Sequence, residues 1–213
     1  MKQLTISEAF TVKGKGLHTG AHITAEFCPA PDNHGYKIQR VDLEGQPVID
    51  ALAENVVATN RGTVIAKGDV SVSTIEHAMS ALYAAGVDNC LIKVDAPELP
   101  ILDGSAKIYA DEIARVGLTE QASDKDFYYV KSKIEISSPE TGSKIMILPD
   151  DEFSVEVKVN FESPVLSNQY ASMEHVSEYV DEIAAARTFV FVREIEPLLS
   201  ANLIKGGDLD NAI

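Results

Sequence analysis

Cysteine is scarce in this sequence: only Cys28 and Cys90 occur among 213 residues, and they match no Cys-x-x-Cys pattern. We interpret them as reduced thiols of a cytosolic protein and expect no disulfide. Long apolar runs are also missing, because no stretch approaches the roughly 18 consecutive apolar residues of a membrane-spanning helix. Polar residues interrupt the first ten positions, which excludes the apolar segment of a signal peptide. We expect a cytoplasmic protein with at most peripheral membrane contact.

Basic residues are few as well. Lysine and arginine total 18 against 33 aspartates and glutamates, and the formal net charge is −15. A chain with this charge repels the phosphate backbone of nucleic acids, so we expect no nucleic-acid partner and favour a small-molecule substrate. Hydrophobic residues make up 45% and charged residues 24% of the sequence, which is typical of a soluble protein that buries one large core or two modest ones.

The first half of the chain has the pattern of an α+β unit. Short β-rich segments punctuated by glycine and proline occupy residues 4–70. A helix is predicted at 73–85, a buried strand at 89–94 and a second helix at 104–116.

The second half repeats this order of strands before helices. Residues 118–126 are polar and lack periodicity, which indicates an interdomain linker. The pattern after it predicts one antiparallel sheet followed by two helices. The predicted strands are 128–136, 144–148 and 154–160, and the predicted helices are 175–186 and 193–203.

These patterns predict an α+β fold with two related sheet-and-helix domains, at 1–120 and 127–213. The glycine pair that precedes Asp208 breaks the last helix and leaves Ala212 and Ile213 without an element to join. We therefore interpret the chain as cut, with an incomplete second domain.

The run STIEH, from Ser73 to His77, is the most informative candidate site. Ser73 and Glu76 have the spacing of a capping box, which is a purely structural explanation for the glutamate. His77 lies about 200° around the helix from Ile75, away from the apolar stripe, where a histidine is not explained by core packing. An adjacent Glu-His pair also suits a zinc hydrolase, although two residues alone are a weak signal.

Three further stretches remain open between structural and functional explanations. The glycine-rich run KGKGLHTG at 13–20 is either a phosphate-binding loop or, in our preferred interpretation, a hairpin turn. The run DGS at 103–105 is a turn and helix start or part of a site. Phe189 and Phe191 are core aromatics or ligand contacts, and Thr188 offers a hydroxyl donor beside them.

Taken in order, five stretches resemble the UDP-3-O-acyl-N-acetylglucosamine deacetylases, zinc-dependent hydrolases of bacterial lipid A synthesis. The stretches are KGKGLHTG, STIEHAMSALYAAGVDN, APELPILDGSA, ARTFVFVREIE and GGDLDNAI. The resemblance implies two facing α+β domains with zinc between them, and a substrate that is a UDP-linked acylated amino sugar.

The resemblance also implies roles for individual residues. His77 would be a zinc ligand, Glu76 the general base and Thr188 the donor to the oxyanion of the tetrahedral intermediate. Phe189 and Phe191 would contact the sugar nucleotide, and an insert near 193–208, including Gly207 and Asp208, would border the passage for the acyl chain. His18 is expected near the cleft without an assigned chemical role.

One part of the family pattern is missing. The family supplies two further zinc ligands as a histidine and an aspartate one helical turn apart, and no His-x-x-x-Asp occurs in this sequence. We therefore expect the remaining ligands beyond Ile213 and little or no activity from this chain alone. Two alternatives stay open: the leading portion of a fusion with a 3-hydroxyacyl carrier-protein dehydratase, and a fragment that binds the nucleotide-linked lipid without hydrolysing it.

Overall fold

Residues 1–161 and 163–212 are described by the computed structural model, and within them the chain forms fourteen β-strands and three α-helices. The predicted α+β class is confirmed. The strands are β1 (Lys2–Ile6), β2 (Phe10–Lys15), β3 (His22–Pro29), β4 (Tyr36–Arg40), β5 (Val48–Asp50), β6 (Val56–Ala58), β7 (Val64–Lys67), β8 (Val70–Ser73), β9 (Cys90–Val94), β10 (Leu118–Asp124), β11 (Ile134–Ser137), β12 (Lys144–Ile147), β13 (Val155–Asn160) and β14 (Asn168–Met173). The helices are α1 (Glu76–Ala84), α2 (Lys107–Val116) and α3 (Val192–Ser200).

Contacts among the described residues divide the chain into two compact units. The first unit contains residues 1–124 together with those from 180 onward, and the second contains residues 125–179. No helix in the described part of the chain has the length and apolar character needed to cross a membrane.

A five-stranded mixed sheet is the centre of the first unit. Its order is β2-β3-β9-β4-β5, with only the β4–β9 pair parallel. Strand β3 alternates in the manner of a half-buried strand, with Ile23, Ala25 and Phe27 facing the core. Helix α2 packs on this face through Tyr109, whose ring centroid lies 5.6 Å from that of Phe27. The sheet and its helices thus form a buried apolar core beside the elements of the candidate site.

The segment expected to be a linker is a strand instead. Residues Leu118–Asp124 form β10, which pairs antiparallel with β1 at the opposite end of this stretch of chain. Its side chains are mostly exposed, so the strand has no apolar alternation that sequence analysis could detect. The linker prediction for 118–126 was therefore wrong over most of its length.

The second unit contains two β-hairpins. Strands β11 and β12 pair with each other, and β13 pairs with β14. The single three-stranded sheet predicted here was therefore wrong, and β14 was missed. The helix predicted at 175–186 is also wrong in form, because a 3-10 turn at Val176–Glu178 and a π-helical turn at Tyr179–Ile183 occupy this region.

The last described residues return to the first unit. Ala212 is buried in an apolar cluster with Leu17, Ile101, Leu198 and Ile204. The expectation that the end of the chain has no element to join was therefore wrong for Ala212, and Ile213 lies outside the described residues.

Candidate active site

The candidate site begins at the first turn of α1, which follows β8 after only two residues. Ser73 is the last residue of β8, and its hydroxyl and backbone N–H donate to the Pro97 carbonyl at 3.3 and 3.0 Å. The predicted capping box was therefore wrong: Ile75 occupies the N-cap position, without a side-chain cap. Glu76 Oε2 instead accepts the Thr63 backbone N–H at 3.0 Å. The carboxylate is thus bound by the backbone before β7 instead of capping the helix.

His77 and Thr188 are brought together although they lie 111 residues apart. His77 Nε2 is 3.2 Å from Thr188 Oγ1. The Thr188 backbone N–H donates to the Gly104 carbonyl at 2.7 Å, which fixes the threonine to the turn before α2. The structure therefore brings Thr188 into contact with His77, which follows Glu76 in the chain.

The surroundings of His77 favour its neutral form. Burial lowers the pKa of the imidazole, whereas the negative charges of Glu76 and Asp103 act in the opposite direction. A neutral imidazole keeps one nitrogen lone pair free to bind a metal ion or accept a proton. Asp103 thus acts to raise the pKa of His77. The sequence analysis left open whether the turn that contains Asp103 is part of a site.

His18 also lies near Glu76. The glycine-rich run is the hairpin turn between β2 and β3, as preferred from the sequence. The His18 Nε2 atom is 3.2 Å from the Arg61 carbonyl oxygen. A methyl group built on Gly62 would lie 3.6 Å from His18 Nε2 and 3.5 Å from Glu76 Oε1. The imidazole and the carboxylate therefore border the same small space.

Glu98 is the residue of this region that sequence analysis missed. It is fully buried, and its two carboxylate oxygens accept four hydrogen bonds, from His18, Thr74 and both donors of Thr19. The glutamate belongs to the run APELP at 96–100, whose two prolines predict only a turn. Its partners lie 24 to 80 residues away in the sequence, so no local pattern could have found it.

Phe189 and Phe191 follow Thr188 on the way into α3. Their rings are perpendicular, with centroids 5.5 Å apart, and the Arg193 guanidinium carbon lies 4.2 Å above the Phe191 ring. Phe189 is 46% exposed, so it is not a core aromatic. The pair presents aromatic surface beside the His77–Thr188 contact.

Gly207 and Asp208 belong to a turn that lies on the β2–β3 hairpin. The Gly206 N–H donates to the Leu17 carbonyl at 3.0 Å, and the Gly207 N–H to that of Ile204 at 2.9 Å. The Asp208 carboxylate is 3.4 Å from Lys15 Nζ. These contacts hold the turn close to the loop that carries His18.

The described residues do not form a complete metal site. No group of three or more histidines, cysteines, aspartates and glutamates that could hold a metal ion occurs among residues 1–161 and 163–212. A catalytic zinc ion needs about three protein ligands. Among the described residues, the imidazole of His77, whose pKa is lowered by burial, has the chemistry of such a ligand.

Comparisons with known proteins give one consistent result. A family model described as LpxC, UDP-3-O-acyl N-acetylglycosamine deacetylase, matches residues 3–213. The chain is 65% identical over 212 residues to the bifunctional enzyme LpxC/FabZ of Porphyromonas gingivalis and 62% identical over 213 residues to that of Bacteroides thetaiotaomicron. Both matches cover 100% of this chain and 46% of the relative, so the chain spans about half the length of these proteins. It is also 41% identical over 216 residues to the UDP-3-O-acyl-N-acetylglucosamine deacetylase of Methylococcus capsulatus, with 100% of this chain and 70% of that protein covered.

Proposed function

The chain belongs to the family of UDP-3-O-acyl N-acetylglycosamine deacetylases, and from this premise we propose that it forms part of a zinc-dependent deacetylase. The proposed reaction removes the N-acetyl group of UDP-3-O-acyl-N-acetylglucosamine in lipid A synthesis, in the cytoplasm. The observation that carries the proposal is the contact of 3.2 Å between His77 Nε2 and Thr188 Oγ1, with Glu76 next to it in the chain. Such a cluster combines a metal ligand, a base and a hydrogen-bond donor.

Glu76 is proposed as the general base. The Thr63 N–H binds one of its oxygens and orients the carboxylate, which leaves lone pairs available for the proton of an attacking water. A base positioned in this way typically contributes about 10²-fold to 10⁴-fold to the rate. Its place beside His77 keeps the proton transfer next to the metal ligand.

Thr188 is proposed as the donor to the oxyanion that develops on the amide carbonyl. Its hydroxyl lies 3.2 Å from His77 Nε2, and in the reaction it would donate its proton to the oxyanion. The bond from the Thr188 N–H to Gly104 holds the residue in place for this donation. A fixed donor of this type is worth about 10²-fold to 10³-fold in rate.

Zinc is proposed as the cofactor, with His77 as one of its ligands. A bound zinc ion supplies a Lewis acid that acidifies water and polarises a carbonyl. Because the described residues lack a complete ligand set, the remaining ligands are proposed to come from the part of the longer relatives that this chain does not span.

The substrate contacts are proposed to lie along the segment after Thr188. Phe189 and Phe191 would face the sugar nucleotide, and Gly207 and Asp208 would border the passage for the acyl chain. The apolar cluster around Leu198 and Ile204 supports this role, because a buried acyl chain gains about 0.8 kcal/mol for each CH₂ group. The division into two related domains, 1–120 and 127–213, stays a prediction, as does the absence of a nucleic-acid partner.

A second candidate concerns the protein to which this segment belongs. The relatives with 65% and 62% identity are named as bifunctional LpxC/FabZ enzymes. This naming favours the hypothesis that the chain is the leading portion of such a fusion. A fragment that only binds the nucleotide-linked lipid is the remaining alternative.

The test replaces the proposed base in the complete protein encoded by the gene. We expect Glu76→Ala to lower kcat for acetate release at least about a hundredfold, because the proton acceptor is lost. Bound zinc, measured by elemental analysis, should remain. Glu54→Gln, which removes an exposed carboxylate elsewhere in the first unit, is the control and should retain full activity. Undiminished turnover in Glu76→Ala would remove this residue from the mechanism.

A further inference from the structure

We propose that Glu98 is a positioning residue, whose buried carboxylate holds the β2–β3 turn against the start of α1 and thereby sets Glu76 and His18 beside each other. The inference rests on the proposed function for the meaning of this arrangement. The arrangement itself is a property of the described residues and can be tested separately.

The carboxylate joins two separate parts of the chain. Oε1 accepts the His18 backbone N–H at 2.9 Å and the Thr74 hydroxyl at 3.1 Å. Oε2 accepts the Thr19 backbone N–H at 3.0 Å and the Thr19 hydroxyl at 2.8 Å. Each oxygen therefore accepts two hydrogen bonds. Such hydrogen bonding is the condition under which a buried carboxylate is tolerated. The turn of residues 16–20 and the residue before α1 are thus fixed to one side chain.

The shape of the turn follows the carboxylate closely. A methyl group built on Gly16 would overlap Glu98 Oε2 and Thr19 Oγ1, so only glycine allows the backbone to approach this far. Loss of the carboxylate would remove the group around which the turn is folded.

Thr74 shows that the start of α1 is held under strain. Its φ angle is 57°, which is unusual for a β-branched residue. Such a conformation persists only where the surrounding bonds enforce it. The Thr74 hydroxyl donates to Glu98, and the Leu99 N–H donates to the Ser73 carbonyl at 3.0 Å. The Glu98 segment therefore fixes the backbone two residues before Glu76.

The turn of residues 16–20 and the start of α1 approach each other at Gly62. A methyl group built there would lie within 3.9 Å of Glu76 Oε1, His18 Nε2 and Thr74 Oγ1. Three polar side chains thus surround one point, and two of the three are attached to segments that Glu98 holds directly. Movement of either segment would change the distance between the imidazole and the carboxylate.

A purely structural role for Glu98 makes a different prediction. In that case its loss would lower global stability without changing the local position of Glu76. Glu98→Gln separates the two roles, because the amide nitrogen cannot accept a hydrogen bond. Two of the four bonds are lost whichever way the amide turns.

The matched control is Thr5→Val. Thr5 is buried in β1, where its hydroxyl donates to the Asn89 carbonyl at 2.7 Å and accepts the Ala30 N–H at 3.0 Å. This substitution also removes two buried hydrogen bonds in the first unit with little change of shape, and Thr5 has no place in the proposed machinery.

The experiment has two readouts. In the isotopically labelled chain, the amide proton resonance of Thr63 reports the bond to Glu76, and we expect Glu98→Gln to shift it while Thr5→Val leaves it in place. In the complete protein, we expect Glu98→Gln to lower kcat about tenfold to a hundredfold with KM within about twofold. Thr5→Val should retain the wild-type kcat, although its unfolding midpoint should decrease by about as much as that of Glu98→Gln.

Each outcome decides the inference. If Glu98→Gln lowers the unfolding midpoint but leaves the Thr63 resonance and kcat as in Thr5→Val, the positioning role is refuted. If Glu98→Gln does not fold, Thr74→Val, which removes one of the four donors, takes its place and should cause a smaller change in the same direction. If the complete wild-type protein releases no acetate, the proposed function fails, and the Thr63 resonance alone decides whether Glu98 holds Glu76 in position.

Discussion

At the scale of single residues, Gly62 provides a direct probe of the space between Glu76 and His18. Alanine should fit here, because the added methyl group would meet its nearest polar atoms at 3.5 and 3.6 Å, which is ordinary van der Waals contact. We expect Gly62→Ala to raise the free energy of unfolding by about 0.4 to 1 kcal/mol, because alanine reduces the conformational entropy of the unfolded chain. The same methyl group should exclude water from beside the proposed base and lower kcat about tenfold or more. Urea denaturation and acetate release measure the two effects, and a variant with full activity would show that this space is not used in the reaction.

The individual site residues differ in how far the sequence could predict them. Glu76 and His77 are adjacent in the chain, and the helical period alone placed His77 away from the apolar stripe. Thr188 was noted from the sequence only as a hydroxyl donor, and its role came from the family resemblance, since its partner lies 111 residues away. Glu98 was missed because a buried carboxylate is recognisable only from its donors, and these belong to two other segments of the chain.

At the scale of elements, the turn before α2 depends on close contact with the last described residues. Gly104 has a φ angle of 84°, and a methyl group built on it would overlap the Asn211 carbonyl oxygen. The Arg187 guanidinium donates to the same oxygen at 2.8 Å. Gly104 therefore joins the proposed oxyanion donor, through its bond to Thr188, to the turn of residues 204–212.

We expect Gly104→Ala to be markedly more destabilising than Gly68→Ala. Gly68 also has a positive φ angle, 61°, but has open space around it. Both substitutions should lower the free energy of unfolding by about 1 to 2 kcal/mol, because alanine is strained in the left-handed backbone conformation. Gly104→Ala should lower it by a further amount of about 1 to 3 kcal/mol, because Asn211 must move. Chemical denaturation of both variants measures the difference, and equal losses would show that the turn accommodates the methyl group without displacement.

Regular elements were predicted where burial imposes a period. Strand β9 alternates between buried and partly buried side chains, and its predicted bounds of 89–94 are close to the observed Cys90–Val94. Strands β10 and β14 were not predicted, since nearly all of their side chains are exposed and no alternation remains. Helix α1 begins three residues later than expected because the Ser73 backbone pairs with Pro97, a contact that the local sequence does not indicate.

At the scale of the whole molecule, the two units differ in how much apolar surface they bury. In the second unit, Ile136, Ile145 and Tyr170 are more than 60% exposed although they lie on strands. Two-stranded hairpins are marginally stable without a covering layer. We expect backbone amides of β13 and β14 to exchange with deuterium far faster than those of β3 and β9, because local opening there disrupts few buried contacts. Mass spectrometry of peptic fragments measures this, and equal protection in both units would contradict it.

The contact between the Gly206 N–H and the Leu17 carbonyl has a consequence for biosynthesis. The ribosome completes the glycine-rich turn near the start of translation but adds its covering segment only after nearly 190 further residues. Closing so long a loop is slow compared with forming local hairpins. A nascent chain released at residue 124 contains every strand of the central sheet but lacks the turn of residues 204–212 that contacts the β2–β3 hairpin. The contact with Leu17 can form only after Gly206 has been synthesised, and arrest of synthesis before this point would leave the Leu17 carbonyl open to solvent.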